Sequence, residues 1–194
     1  MLEKQNLISF IKLVMPMCDN KASEIADNFE PVSLCKNDFL LKDGSVCNDY
    51  FFLEKGFMRA YTFDTEGNEV TTNFYGRNSI VFEVASYIKR TPSRENIQAV
   101  TDCFGWKGNY TNLQDLFHTS PEFRGFARVI LVNSFIDLKE RTLSMINLTA
   151  EKRYEALLES RREIIQNVSI KHIASYLGIT DTSLSRIRKE IAIK

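Results

Sequence analysis

The residues best placed to do chemistry lie near the end of the chain. Residues 170–190 read IKHIASYLGITDTSLSRIRKE. In the second half, Leu184, Ile187 and Ile191 recur three and four apart, which marks one face of a helix. Ser183, Ser185, Arg186, Arg188 and Lys189 fall on the other face. A guanidinium reads guanine through two hydrogen bonds, and hydroxyls and ammonium groups serve phosphates or base edges, so this face suits a DNA groove. The first half carries Ile170, Ile173, Ala174 and Leu177 at helical spacing. Gly178 tolerates positive φ and can end that helix at a steep angle to the next. Thr180 is a good N-cap, and Asp181 stands where a helix N-terminus favours negative charge. A plain helical hairpin shares this periodicity. Small Ala174 at the crossing, Gly178 in the turn, Ile179 behind it and the basic outer face together favour a helix-turn-helix.

Other chemistries lack their residues. The chain has two histidines, His118 and His172, too few and too far apart for the metal site of a cupin-type barrel. There is no glycine-rich phosphate loop, no G-x-S-x-G elbow and no Cys–His pair with supporting spacing, so no catalytic residue is singled out and the chain reads as a non-enzyme. Cys18, Cys35, Cys47 and Cys103 form no C-x-x-C pair and no cluster of iron–sulfur type. They read as free thiols in a reducing cytoplasm. The reading calls for no metal and no cofactor. No apolar run approaches the length of a membrane span, and the N-terminus lacks the apolar core of a signal peptide, so a cytoplasmic location is expected.

Formal net charge is zero over 194 residues, which gives no global case for nucleic acid. From Gln166 onward, however, five basic residues face two acidic ones, so the C-terminal segment carries +3 and the rest −3. The asymmetry has the sign a DNA-facing segment needs.

The remaining elements must position this motif. Leu7, Ile8, Ile11 and Val14–Met15 predict a first helix stopped by Pro16. Asn20 is expected to cap a second helix running through Ala22, Ile25, Ala26 and Phe29. From Val32 the pattern turns to short apolar runs separated by Asn, Asp and Gly: 39–41, 50–53, 57–63, 70–75, 79–81 and 97–106. Such spacing predicts a small sandwich or barrel of jelly-roll type, with Asp64–Gly67 a hairpin turn. Met58, Ala60 and Thr62 alternate with Phe57, Arg59, Tyr61 and Phe63, as in a strand exposed on one face. Residues 82–87 read as one or two helical turns, 90–94 as a loop and 112–117 as a short helix. Ser120-Pro121-Glu122 then opens a long helix to about Ile146. Its apolar residues are too many for one face, and at about 1.5 Å per residue it spans roughly 36 Å. We read it as a dimer helix. Asn147-Leu148-Thr149 is the hinge candidate, followed by a helix over 150–162 with Tyr154, Leu157 and Leu158 inward.

In this order the chain resembles the Crp/Fnr superfamily of bacterial transcription regulators over almost its whole length. The resemblance rests on Asp43-Gly44, Tyr50-Phe51-Phe52-Leu53 leading to Gly56, the hairpin Asp64–Gly67, and the ending ASYLGIT…LSRIR, which is similar to a branch common in Bacteroidetes-type bacteria. The implied architecture is α+β: a cyclic-nucleotide-binding-like jelly roll over 1–119 with flanking helices, a long dimerisation helix over 120–147 and a helix-turn-helix domain over 148–194. The resemblance places base reading on Asp181, Thr182 and Arg186 of a recognition helix over about 181–190. It leaves Ser183, Ser185, Arg188 and Lys189 as phosphate or structural candidates, with no residues remaining for the family's β-wing. Its implied partners are double-stranded DNA with a near-palindromic site, a second copy of the chain, RNA polymerase and a small-molecule effector, but no membrane. The family's phosphate cassette falls on Glu83 and Arg94. Phe82 stands in place of the cassette glycine and Glu95 in place of its Ser/Thr, which sets a carboxylate beside an incoming phosphate. We therefore expect Glu83 and Arg94 to be structural or surface residues and the roll not to answer cyclic AMP. The alternative is a cyclic-nucleotide or other small-ligand sensor, or a scaffold, without sequence-specific DNA binding.

Overall fold

The computed structural model describes residues 4–193. Helices α1 (Gln5–Val14) and α2 (Asp19–Ala26) precede eight strands: β1 (Glu30–Leu34), β2 (Phe39–Leu41), β3 (Asp49–Lys55), β4 (Met58–Phe63), β5 (Glu69–Tyr75), β6 (Ser79–Val81), β7 (Asn96–Ala99) and β8 (Cys103–Asn109). Helix α3 (Val84–Lys89) interrupts them, and α4 (Tyr110–Thr119), α5 (Pro121–Asn147), α6 (Ala150–Ser160), α7 (Arg162–Asn167), α8 (Ile170–Leu177) and α9 (Asp181–Ile193) complete the chain. The strands form two antiparallel four-stranded sheets, ordered β1-β8-β3-β6 and β2-β7-β4-β5. This is the jelly-roll arrangement anticipated from the strand spacing, and the class is α+β. The roll core gathers Phe51, Phe52, Leu53, Met58 and Trp106, sealed by Leu7 and Ile11 of α1, Ile25 of α2, Leu113 of α4 and Phe123 and Phe126 of α5. Buried Glu54 stitches this layer: its carboxylate accepts from Trp106 Nε1 at 2.8 Å and from Asn6 Nδ2 at 2.7 Å.

Several local expectations are corrected. Residues 97–106 are not one strand. Val100–Asp102 turn, and Val100 N–H donates to Phe57 O at 2.8 Å, so the chain leaves one sheet and enters the other. An additional strand, β1, precedes Phe39; it sits at a sheet edge, where Pro31 removes no needed donor. The second helix has Cys18 rather than Asn20 at its N-cap position, without a side-chain cap, and ends at Ala26, with Phe29 buried beyond it. The helix expected over 150–162 breaks at Arg161, and a further short helix, α7, follows. Strand β4 is not exposed on one face. Arg59 and Tyr61 are as buried as Met58 and Ala60, because α8 covers the outer side of this sheet.

Helix α5 has 27 residues, about 40 Å at the usual rise. Ser120 Oγ accepts from Phe123 N–H at its start. Within the chain only its first turns are buried, through Phe123 and Phe126, and Val132, Phe135, Ile136, Leu138, Leu143 and Ile146 stand exposed. It ends at Asn147; Leu148 is extended, and Thr149 Oγ1 caps α6 at Lys152 N–H.

Candidate nucleic-acid interface

The C-terminal motif folds through its own local chemistry. Ser169 caps α8, accepting from His172 N–H at 3.3 Å. Gly178 ends it with φ +68°, and Ile179 N–H returns to Ala174 O at 3.1 Å, which closes the helix end. A Cβ there would stand 2.6 Å from Met145 Cε of α5, the far end of a flexible side chain that can shift, so the positive φ is what calls for glycine. Thr180 Oγ1 accepts from Ser183 N–H at 3.2 Å and caps α9, while Asp181 Oδ1 accepts from Thr182 N–H at 2.8 Å. Behind the motif, Ile173, Ala174, Leu177, Leu184 and Ile187 are buried with Tyr154, Leu157, Ile164 and Val168. Ile170, expected on the inner face, is instead exposed at the first turn.

The polar face of α9 is open to solvent. Asp181, Thr182, Arg186, Arg188 and Lys189 are exposed, and Ser183 and Ser185 are half-buried at its flank. The Arg186 side chain is 77% exposed and lies 3.9 Å from Glu190, a loose pair that leaves the guanidinium able to turn outward. The helix thus presents two guanidiniums, an ammonium and several hydroxyls on one side and is anchored by Leu184 and Ile187 on the other.

Glu83 and Arg94 are not brought together as a phosphate clamp. Glu83 is the N-cap of α3, and its carboxylate accepts from Ala85 N–H at 2.9 Å and Ser86 N–H at 2.6 Å. Arg94 is exposed, and its carbonyl is the group engaged, accepting from Thr62 Oγ1 at 2.9 Å. Burial pushes the Glu95 carboxyl up, and the Glu83 charge adds to that rise, while Thr72 and Arg141 oppose it. A cleft of about 250 Å³ opens on the roll, lined in part by Phe39, Leu41, Cys47, Phe82 and Ile97; none of Glu83, Arg94 and Glu95 borders it.

Sequence reasoning missed the residues that join the motif to the roll. Arg59, 3% exposed, places Nη1 2.8 Å from His172 Nδ1 of α8, pairs with Glu69 and stacks on Tyr61 at 4.1 Å. Phe74 of β5 is buried in the core of the C-terminal domain, with its ring 5.0 Å from that of Tyr176. The one sequence signal was an arginine among apolar strand residues, which asks for a partner. Among the described residues no group of three or more His, Cys, Asp or Glu side chains is arranged to hold a metal, and no helix is long and apolar enough to cross a membrane.

A β-roll, a long helix with an unspent apolar surface and a helix-turn-helix with an open polar face define a sensor-coupled DNA-binding regulator. Residues 31–120 match the model of the cyclic nucleotide-binding domain family. The chain is 24% identical over 178 residues to an anaerobic regulatory protein of Haemophilus influenzae, covering 87% of this chain and 68% of that one. FixK2 from Bradyrhizobium japonicum superposes with TM-score 0.75 at 16% identity, over 85% of each chain. A transcriptional regulator of the Crp/Fnr family from Eubacterium rectale superposes with TM-score 0.72 at 16% identity, over 93% of this chain and 88% of that one. The chain spans about two thirds of the length of the curated relatives it matches. Its roll thus carries the pattern of the cyclic nucleotide-binding domain family, and over most of its length the chain is similar to regulators that include one of the Crp/Fnr family.

Proposed function

We propose that the chain acts as a homodimer, reads a near-palindromic DNA site with α9, and is set by a small effector other than cyclic AMP. The open polar face of α9 over a buried apolar one carries the DNA reading. The exposed apolar residues of α5 support the dimer, since a helix with such residues on several sides needs a partner. Two recognition helices related by a two-fold axis then enter major grooves about 34–36 Å apart. Arg186 is the base-reading side chain; Asp181 and Thr182 stand at the N-terminal turn, nearest the groove floor in this docking mode, and Arg188 and Lys189 serve phosphates. The regulator works by binding rather than by catalysis, with RNA polymerase as its further partner and the cytoplasm as its place.

The cassette residues support an effector that is not a cyclic nucleotide. Glu83 spends both carboxylate oxygens on the cap of α3, and Glu95 would set a negative charge beside a phosphate. At about 4 Å and an effective dielectric near 20, that repulsion is on the order of 4 kcal/mol.

Selection from a random DNA pool tests the reading: enrichment of an inverted repeat is expected. Arg186→Ala should weaken binding to the selected site by about 1–3 kcal/mol and relax one base position. An unselected pool would overturn DNA reading, and an equal loss on selected and random DNA would make Arg186 a phosphate contact.

A further inference from the structure

The helix-turn-helix is fastened to the outer face of the roll, and much of the fastening is borne by β5. Ser175 Oγ of α8 accepts the Thr71 N–H at 3.1 Å and lies 2.9 Å from Thr71 Oγ1. One turn earlier on α8, His172 Nδ1 faces Arg59 Nη1 at 2.8 Å. An arginine can only donate, so this ring nitrogen must offer its lone pair, and the imidazole is neutral with its proton on Nε2. Arg141 of α5 closes the group, donating to Thr71 O at 3.3 Å and to Tyr176 O at 3.1 Å, and Arg161 donates to Phe74 O at 3.2 Å.

The same strand has a second contact on its other side. Tyr61 pairs with Thr71 but Ala60 pairs with Asn73, so Thr72 is the extra residue of a β-bulge. Its buried Oγ1 leans on the Glu95 carboxyl, which it favours in the charged form, at the position where the family's cassette has its Ser/Thr. Adjacent residues of one bulge thus touch the helix-turn-helix and the interior of the roll.

We propose that β5 is a relay: a change at Glu95 inside the roll, by ligand binding or by loss of its charge, shifts the Thr71–Thr72 bulge and alters how firmly α8 is held. The roll then addresses the DNA-binding domain across a single strand as well as along α5. A bulge is suited to this, since its unpaired residue moves without breaking the ladder on either side. When the Glu95 carboxyl is neutralised or taken by a ligand, the Thr72 hydroxyl loses this support, and the bulge then has a second arrangement to reach. The purpose of the relay rests on the regulator reading, but its test needs no DNA, so the two stand or fall separately.

The Thr71 amide is the reporter, because its hydrogen bond ends on Ser175. Amide exchange is measured residue by residue on the full chain. His172→Ala removes the acceptor for Arg59 without touching Ser175, and Thr71 exchange should rise about tenfold as α8 loosens. His172→Gln keeps an acceptor and should stay near the parent. Glu95→Gln, which removes only a charge, should change Thr71 exchange at least about threefold while Phe51 and Trp106 of the opposite sheet keep their rates. An unchanged Thr71 rate in Glu95→Gln, or an equal change at all three amides, overturns the relay. An unchanged rate in His172→Ala overturns the latch on which it depends.

Discussion

Phe135→Ala on α5 is the sharpest test of the assembly. Phe135 lies midway along the helix and is 65% exposed within one chain, beside Val132 at 50% and Leu138 at 60%. Burying a whole phenylalanine side chain is worth about 1.5–3 kcal/mol, so covering the exposed portion recovers roughly 1–2 kcal/mol. A two-fold interface uses the same residue from both copies, which doubles the effect to about 2–4 kcal/mol. At 1.4 kcal/mol per decade the dimer dissociation constant should therefore rise between about 30-fold and 700-fold. Sedimentation equilibrium over a dilution series measures this directly, with far-ultraviolet dichroism to verify that the helix content is kept. Leu13→Ala is the control: among the described residues Leu13 is the most exposed large apolar one at 82%, but it lies on α1 and off α5. Equal dissociation constants for parent and Phe135→Ala, or an equal shift in Leu13→Ala, would refute the use of α5 as the dimer surface.

Two further outcomes follow from the charged groups. Burial first, then the neighbouring Arg59 charge and that of Lys171, hold His172 below the ordinary histidine value, against a smaller opposing pull from Glu69. The docked state thus refuses a proton that the undocked one accepts: docking is at full strength above about pH 6.5 and weakens as pH falls below it. Thermal melts at pH 7.5 and 5.5 should show this loss, and His172→Gln should flatten it; Glu95 works in the opposite sense at lower pH, since its raised carboxyl gains a proton more readily when folded. Calorimetry with cyclic AMP at micromolar concentrations should show no binding, and Arg94→Ala should change nothing; micromolar binding lost in that variant would restore the phosphate cassette.

The parts legible in the sequence share one property: their signal is local or periodic. Gly178, Thr180 and the three-and-four spacing of Leu184, Ile187 and Ile191 announce a helix–turn–helix because each element is written within a few residues. The long helix was legible by excess, since residues such as Phe135 and Ile146 exceed what one buried face can hold. Turn residues marked most strand ends, but they did not separate β7 from β8, where an apolar Val100 sits in the turn and no glycine or proline stands at 100–102. The surroundings of Glu83 were partly legible: a carboxylate directly before an apolar helical turn is a capping signal as much as a ligand signal, and here it caps.

The seam between the domains was illegible for a physical reason. Its contacts join residues far apart in the chain, 113 positions for Arg59 and His172 and 104 for Thr71 and Ser175. Each partner also has an innocent local reading. Arg59 and Tyr61 pass for the solvent face of an alternating strand, and His172 for a surface residue of a helix. Only the burial of Arg59 betrays the seam, because a charge removed from water must be answered by hydrogen bonds and counter-charge. Glu69, Gln98 and His172 supply those together, from three different elements. That answer is directional: it holds only while α8 lies on β5 with its imidazole neutral. Phe74 adds a non-directional hold, a roll side chain completing the core of the other domain. The division at residues 119 and 147 therefore describes the order of the chain better than its packing, since the roll and the helix-turn-helix share buried residues and a perturbation in either is felt at their common strand.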